Sequence, residues 1–299
     1  MTLLCVHVII REMVIENKWD RLTTLLREMQ IAVIAYSGGV DSSLLLKAAA
    51  GAMGHRVIAV TAVSETYPSG ELIAAQEFAR SLGVTHKILR TRELESEEFV
   101  RNPPDRCYHC KKELFAKLRQ IADTEGISFV LDGSNVDDLG DHRPGRKAAK
   151  EFGVRSPLVE AGFAKSDVRE QARVLNLQVW DKPSLACLSS RIPYGTRITP
   201  GILNSIQSAE DALHVLGFRQ VRVRHHNETA RIEIDREEFG RLLSDEVAAK
   251  ITSAFKELGY TYVCLDLEGY RTGSMNEGMV KAGSGVQGPG SRCQGTGES

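Results

Sequence analysis

The chain has 299 residues, of which 42% are hydrophobic and 26% charged, enough for about two domains that each bury a core. With 38 Lys and Arg against 39 Asp and Glu the net charge is −1, which argues against a nucleic-acid coat or a membrane-surface protein and requires any anion site to be built locally. No apolar run reaches the ~20 residues of a membrane span. "MTLLCVHVII" lacks the basic start and cleavage site of a signal peptide, so it reads as an extra strand or an ill-ordered lead of a cytoplasmic protein.

A helix, "WDRLTTLLREM", comes first, and the dense β-branched run "IAVIAY" follows as a buried strand. "SGGVDS" is a glycine turn, and "SLLLKAAAGAMG" is a helix closed by Gly54. "RVIAVTAV", "THKILRT" and "SFVLDGSN" repeat the strand signal, alternating with the helices "SGELIAAQEFARSLG" and "KKELFAKLRQIADTEG". This rhythm over residues 30–135 predicts an α/β fold with a doubly wound parallel sheet. Residues 136–200 are irregular apart from the helix "KSDVREQARVLN". Beyond 200 a smaller α+β unit is expected: a helix, the strands "RQVRVRHH" and "ARIEID", a second helix, and the strand "TYVCLDL". The expected division is an extension over 1–18, a first domain over 19–190, a second over 191–277, and a Gly- and Ser-rich disordered tail over 278–299.

"AYSGGVDSS" joins a strand to a helix. Its backbone N–H groups and the helix N-terminus make an anion nest, to which Ser37, Ser42 and Ser43 add hydroxyls. Asp41 is unwelcome beside phosphate unless it orients the loop or holds a metal ion. The Walker lysine is missing, and a plain strand–turn–helix corner is the alternative. The match "SGGVDSS" resembles the PP-loop of N-type ATP pyrophosphatases, which cleave ATP between the α and β phosphates and leave an adenylate. The resemblance implies that Ser37, Gly38, Gly39, Asp41, Ser42 and Ser43 hold the departing pyrophosphate, with Mg2+ neutralising its charge.

Six cysteines stand at 5, 107, 110, 187, 264 and 293, too few for a disulfide scaffold in a chain this long, so reduced thiols are expected. Cys5, Cys264 and Cys293 read as a core, a strand and a tail residue. "RCYHC" has the spacing of a metal chelate or redox pair, yet no second pair follows to complete a zinc site. Cys187 lies in the Pro- and Gly-bounded "DKPSLACLSSRIPYGT" with Arg191 nearby, a setting that favours thiolate.

The ordered motifs "SGGVDSS", "NPPDRCYHCK", "DGSNVDD", "RPG", "SPL", "DKPSLACLSSRIPYGT", "VRVRHH", "ARIEID" and "LDLEGYRTGSMNE" resemble the LarE family from residue 20 to 277. These are ATP-dependent sulfur transferases of nickel-pincer nucleotide biosynthesis. The family adenylates the carboxylates of a pyridinium-3,5-dicarboxylate mononucleotide and converts them to thiocarboxylates. In one branch the cysteine matching Cys187 gives up its sulfur and becomes dehydroalanine. In the other, three cysteines hold a [4Fe-4S] cluster whose fourth iron carries a transferable sulfide. The resemblance implies Cys107, Cys110 and Cys187 as that set, which suits thiolate chemistry. Zinc with His109, a redox pair, and a metal-free sacrificial Cys187 remain alternatives.

Arg222 and Arg224, two apart on a predicted strand, share a face and suit a nucleotide phosphate. A solvated face is the alternative, and the family's placement of substrate contacts in this unit favours the first. Arg191 is a second candidate for the reacting site. "DGSNVDD" falls at the carboxyl edge where doubly wound sheets bind ligands, so Gly133 and Asn135 are expected to line the nucleotide pocket. Asp137 and Asp138 are Mg2+ ligands or turn residues. The expected partners are the mononucleotide, sulfide or a sulfur-supplying system, and further copies of the chain (a hexamer by resemblance), with no nucleic acid and no membrane. The rivals are a PP-loop tRNA thiolase, which should show a basic RNA surface, and a non-catalytic ATP-binding module.

Overall fold

The structure, a computed structural model, describes residues 2–68, 70–140, 144–183, 186–271 and 273–274, with side chains described from residue 13. The tail expected to be disordered, 278–299, lies outside the described residues.

Strands β1 (Ala32–Ala35), β2 (Val57–Val63), β3 (Thr85–Arg90) and β4 (Phe129–Leu131) form one sheet in the order β3-β2-β1-β4. Every pairing in it is parallel. Alternation along β1 sends Ala32 and Ile34 into a core with Leu26, Leu44 and Leu45 on one side. Val33 goes to the opposite core with Val60, Phe115 and Leu118. Both faces are therefore covered by helices, as a parallel sheet requires. The doubly wound α/β class is what the sequence predicts.

At the N-terminus the strand or lead expected for "MTLLCVHVII" is instead the start of one helix, Thr2–Met29. The β-branched run suggests extension. Helix propagation is cooperative, however, and the strong helix former "WDRLTTLLREM" carries the turn backwards through it.

The C-terminal sheet has the order β5-β6-β7: β5 (Val221–His226) antiparallel to β6 (Thr229–Ile234), and β6 parallel to β7 (Tyr262–Leu265). Val221, Val223, Ile232 and Ile234 pack with Phe255 of the helix Asp245–Glu257 and with Phe218, in the connection leading into β5, into a separate core. A further cluster joins segments that lie between β3 and β5 in the chain. In it Phe99 and Val100 meet Leu188, Ile192, Ile198, Leu203 and Ile206, with Cys110 packed against them. This seam brings the cysteine segments together.

Candidate functional site

The phosphate loop follows β1. Gly38 takes φ +77°, and a Cβ there would stand 3.3 Å from the Cβ of Ala75, so only glycine fits without strain. Gly39 caps the helix Val40–Met53 with no side-chain cap bond, which leaves the first helical N–H groups to an anion. Ser42 closes the turn. Its Oγ accepts from the Ser37 N–H at 3.2 Å, lies 3.1 Å from the Ser37 Oγ and donates to the Gly39 carbonyl at 3.2 Å. Ser43 is fully buried with its hydroxyl 3.5 Å from that of Tyr36, so it faces the core.

Across the turn, Asn135 Nδ2 donates to Asp41 Oδ1 at 3.0 Å, and Lys165 Nζ pairs with the other carboxylate oxygen. Gly133 lets the end of β4 come this close, because a Cβ there would sit 2.9 Å from the Ser42 nitrogen. Asn135 is buried and caps the short 3-10 turn Val136–Leu139, and Asp138 answers by accepting from the Asn135 N–H at 2.9 Å. Asp137 accepts from the Lys165 N–H at 2.8 Å. Both aspartates thus have turn roles here.

Lys165 escapes the sequence reading, though a signal exists. It opens the helix Lys165–Val174, a place where the helix dipole disfavours a cation. Lys182 escapes it too. It pairs with Glu71 and lies 3.5 Å from the Gly38 carbonyl oxygen.

The helix expected from Lys111 starts at Arg106 and runs to Thr124. Cys107 and Cys110 therefore sit at i and i+3 on its first turn, on one face. Cys187 precedes the 3-10 turn Leu188–Arg191. Asn102, at φ +56°, fastens the two segments together. Its Nδ2 reaches the carbonyls of Ile192 (3.2 Å), Pro193 (2.8 Å) and Thr196 (3.0 Å), while its Oδ1 accepts from Arg106. The Arg106 guanidinium in turn lies 4.8 Å from the ring centre of Tyr194.

Cys107 is an exposed residue, and its thiol is pushed up by desolvation against its neighbours, to which the charge of Cys187 adds. Cys110 is pushed well up, first by burial, then by Glu93, Cys187 and Cys107. Its Sγ lies 3.6 Å from Glu93 Oε1. The three thiols share one electrostatic neighbourhood. Among the described residues, no group of three or more His, Cys, Asp or Glu side chains is arranged to hold a metal ion. As a donor set, three thiolates fit an iron–sulfur cluster with one iron left open.

Arg191 is buried, and its guanidinium is fully engaged. It forms a fork with Glu210 at 2.9 and 2.8 Å and donates to the carbonyls of Ala186 and Cys187 at 2.7 and 3.0 Å. Its place is to shape the Cys187 turn. Arg222 and Arg224 do share a face, opposite Val221 and Val223, but that face is buried rather than solvated. Arg224 forks onto Glu233 at 3.0 and 2.7 Å and donates to the Ser190 carbonyl at 3.0 Å. Arg222 stands over Tyr270. Its pKa is lowered to about 10 by burial and then by Arg191. Burial alone would raise the Glu210 carboxyl, and Arg191, Arg222 and the Val223 N–H together more than offset that, holding it below the ordinary range. The partners Glu210 and Glu233 have no sequence signal beyond their helix and strand positions.

The family described as asparagine synthase matches residues 32–124, which span the phosphate loop and the cysteine pair. Over 267 residues the chain is 43% identical to the uncharacterized protein slr1717 of Synechocystis, covering 89% of this chain and all of that one. Pyridinium-3,5-bisthiocarboxylic acid mononucleotide synthase of Lactiplantibacillus plantarum is 40% identical over 269 residues, covering 89% of this chain and 96% of its own. A tRNA-specific 2-thiouridylase MnmA of Wolbachia is 28% identical over 51% of each chain. A glycine turn braced by Asp41 and Asn135 at the end of a parallel sheet, with cysteines on the helix Arg106–Thr124 and before the turn Leu188–Arg191, agrees with that likeness along nearly the whole chain, and the protein belongs to the LarE family of ATP-dependent, PP-loop sulfur transferases.

Proposed function

We propose that the chain adenylates the carboxylates of a pyridinium-3,5-dicarboxylate mononucleotide and converts them to thiocarboxylates for nickel-pincer nucleotide biosynthesis. The observation that supports this reading is that Cys110 packs in one cluster with Leu188, the neighbour of Cys187, beside a C-terminal unit with buried Arg222 and Arg224. The name of the Lactiplantibacillus relative supports the substrate.

A substrate carboxylate oxygen attacks the α-phosphorus of ATP, and pyrophosphate leaves into the N–H groups of the Ser37–Ser43 loop. Asp41 would hold Mg2+, which neutralises phosphate charge, and Lys165 supplies a fixed cation beside it. Asn135 orients the Asp41 carboxylate. A sulfur nucleophile then attacks the acyl carbon and AMP departs with its oxygen. Cys107, Cys110 and Cys187 would hold a [4Fe-4S] cluster, which when bound supplies a sulfide at its open iron. Arg222 and Arg224 face the substrate phosphate, Arg224 without leaving its fork on Glu233, and Arg191 shapes the Cys187 turn. In this reading residues 1–18 precede a nucleotide domain over 19–190, and 191–277 form a substrate and oligomer-building unit of a cytoplasmic hexamer, resupplied by sulfide or a sulfur-supplying system.

The test is anaerobic purification followed by turnover. About four iron and four acid-labile sulfide per chain are expected, with AMP, pyrophosphate and thiocarboxylate formed from the dicarboxylate mononucleotide. Iron near zero, with Cys187 itself converted to dehydroalanine after turnover, would make that residue the sacrificial donor. Pyrophosphate release stimulated by tRNA rather than by the mononucleotide would replace the reading with tRNA thiolation, as the Wolbachia relative is named. No release with any acid substrate would leave only an ATP-binding module.

A further inference from the structure

The segment that carries Cys187 is tied to the phosphate loop on both sides. Upstream, Lys182 Nζ lies 3.5 Å from the Gly38 carbonyl oxygen and pairs with Glu71. Downstream, the Leu188 N–H donates to the Thr66 carbonyl at 3.0 Å. The next residue along, Tyr67, donates its hydroxyl to the Ser37 carbonyl at 3.0 Å. Thr66 transmits position well because it is fixed: it is buried, its Oγ1 lies 2.9 Å from the Ser64 Oγ, and its N–H donates to the same hydroxyl at 3.2 Å.

The two carbonyls held in this way are consecutive. A trans peptide is a rigid plane, so the Ser37 carbonyl turns with the Gly38 N–H and the Gly38 carbonyl with the Gly39 N–H. Both belong to the glycine turn read as the anion nest, and the Gly39 N–H donates to the Ser37 Oγ at 3.4 Å until an anion takes it. An anion that draws them inward must swing the carbonyls that Tyr67 and Lys182 grip from outside. Gly38, at φ +77°, gives the turn the freedom to do so.

We propose that Tyr67 and Lys182 are positioning residues that make the seating of Cys187 depend on what fills the phosphate loop. The order of the chemistry gives this a use. Sulfur offered before the adenylate exists has no leaving group to displace, and a loop that senses pyrophosphate holds the cysteine segment in register with the ATP step. The proposal rests on the reading of Ser37–Ser43 as a pyrophosphate site. It does not rest on whether Cys187 gives up its own sulfur.

The probe is inorganic pyrophosphate with Mg2+, which fills the loop without placing adenosine near the cysteine. On the reduced full-length chain as it stands before any iron is loaded, so that Cys187 is a free thiol, iodoacetamide alkylation of Cys187 is followed by peptide mass spectrometry, with the exposed Cys264 as internal control, and pyrophosphate binding is measured by calorimetry. Saturating pyrophosphate is expected to slow alkylation of Cys187 about fivefold and to leave Cys264 unchanged. Tyr67→Phe, and separately Lys182→Met, should each bring the ratio below about twofold at saturating pyrophosphate. Pyrophosphate that binds the unaltered protein without changing Cys187, or variants that keep the full ratio, overturns the coupling alone. No pyrophosphate binding overturns both the coupling and the site reading. Either variant suffices if the other fails to accumulate.

Discussion

The phosphate loop and the arginine set of the C-terminal unit both pair cations with carboxylates, and they are built in opposite ways. The loop relies on backbone N–H groups and on Lys165, which pairs with Asp41 while keeping about a third of its side chain exposed. Arg191 and Arg224 are buried and forked onto Glu210 and Glu233, whose carboxylates are as buried as they are. A partly exposed pair in high dielectric exchanges partners at little cost. A buried fork does not, because parting it strands a desolvated charge. In the proposed reaction ATP must enter the loop and pyrophosphate leave it at every turnover, whereas the Cys187 turn must stay shaped between turnovers.

The largest expected effect breaks the buried side of this contrast. Arg191→Ala strands Glu210 and releases the Ala186 and Cys187 carbonyls, so a loss of about 3–5 kcal/mol in urea unfolding is expected. Replacing both Arg191 and Glu210 with methionine should recover most of it. Lys165→Met tests the exposed side: pyrophosphate release should fall about a hundredfold, while unfolding stability moves by less than about 1 kcal/mol. A large stability loss there would erase the distinction.

Gly133→Ala comes next. Its Cβ would meet backbone at Ser42, which cannot swing aside as a side chain can, so about 1–3 kcal/mol of overpacking strain is expected, accompanied by weaker ATP binding in calorimetry. The smallest effect is one of pH. Glu210 has its folded pKa below the ordinary carboxylate value, so its contribution is present above its unfolded pKa of about 4.3 and is lost as pH falls through the folded value. The acid limb of the stability profile should therefore be shallower in Glu210→Gln than in the unaltered protein.

Much of this architecture is legible in the sequence because it follows local periodicity. The four parallel strands, the glycine turn and the alternation of Val221 and Val223 against Arg222 and Arg224 all come from short-range pattern. The start of the cysteine helix is not legible. "PPDRCYHC" looks like a breaker followed by a chelate, and only the Asn102 and Arg106 contacts to "IPYGT" show why helix begins at Arg106. Lys165 is hidden because its partner Asp41 is 124 residues away. The burial of Arg222 and Arg224 is hidden for the same reason, since a charged strand face looks solvated until Glu233 and the Ser190 carbonyl are seen against it.

Asn102 bears on how long this assembly lasts. Asparagine ages chiefly when the backbone nitrogen of the following residue attacks its side-chain amide, and the ring that forms opens to aspartate. Here the following residue is Pro103, which has no N–H to give up. The amide that joins the cysteine helix to the Cys187 segment is thus closed to the commonest route of its own decay.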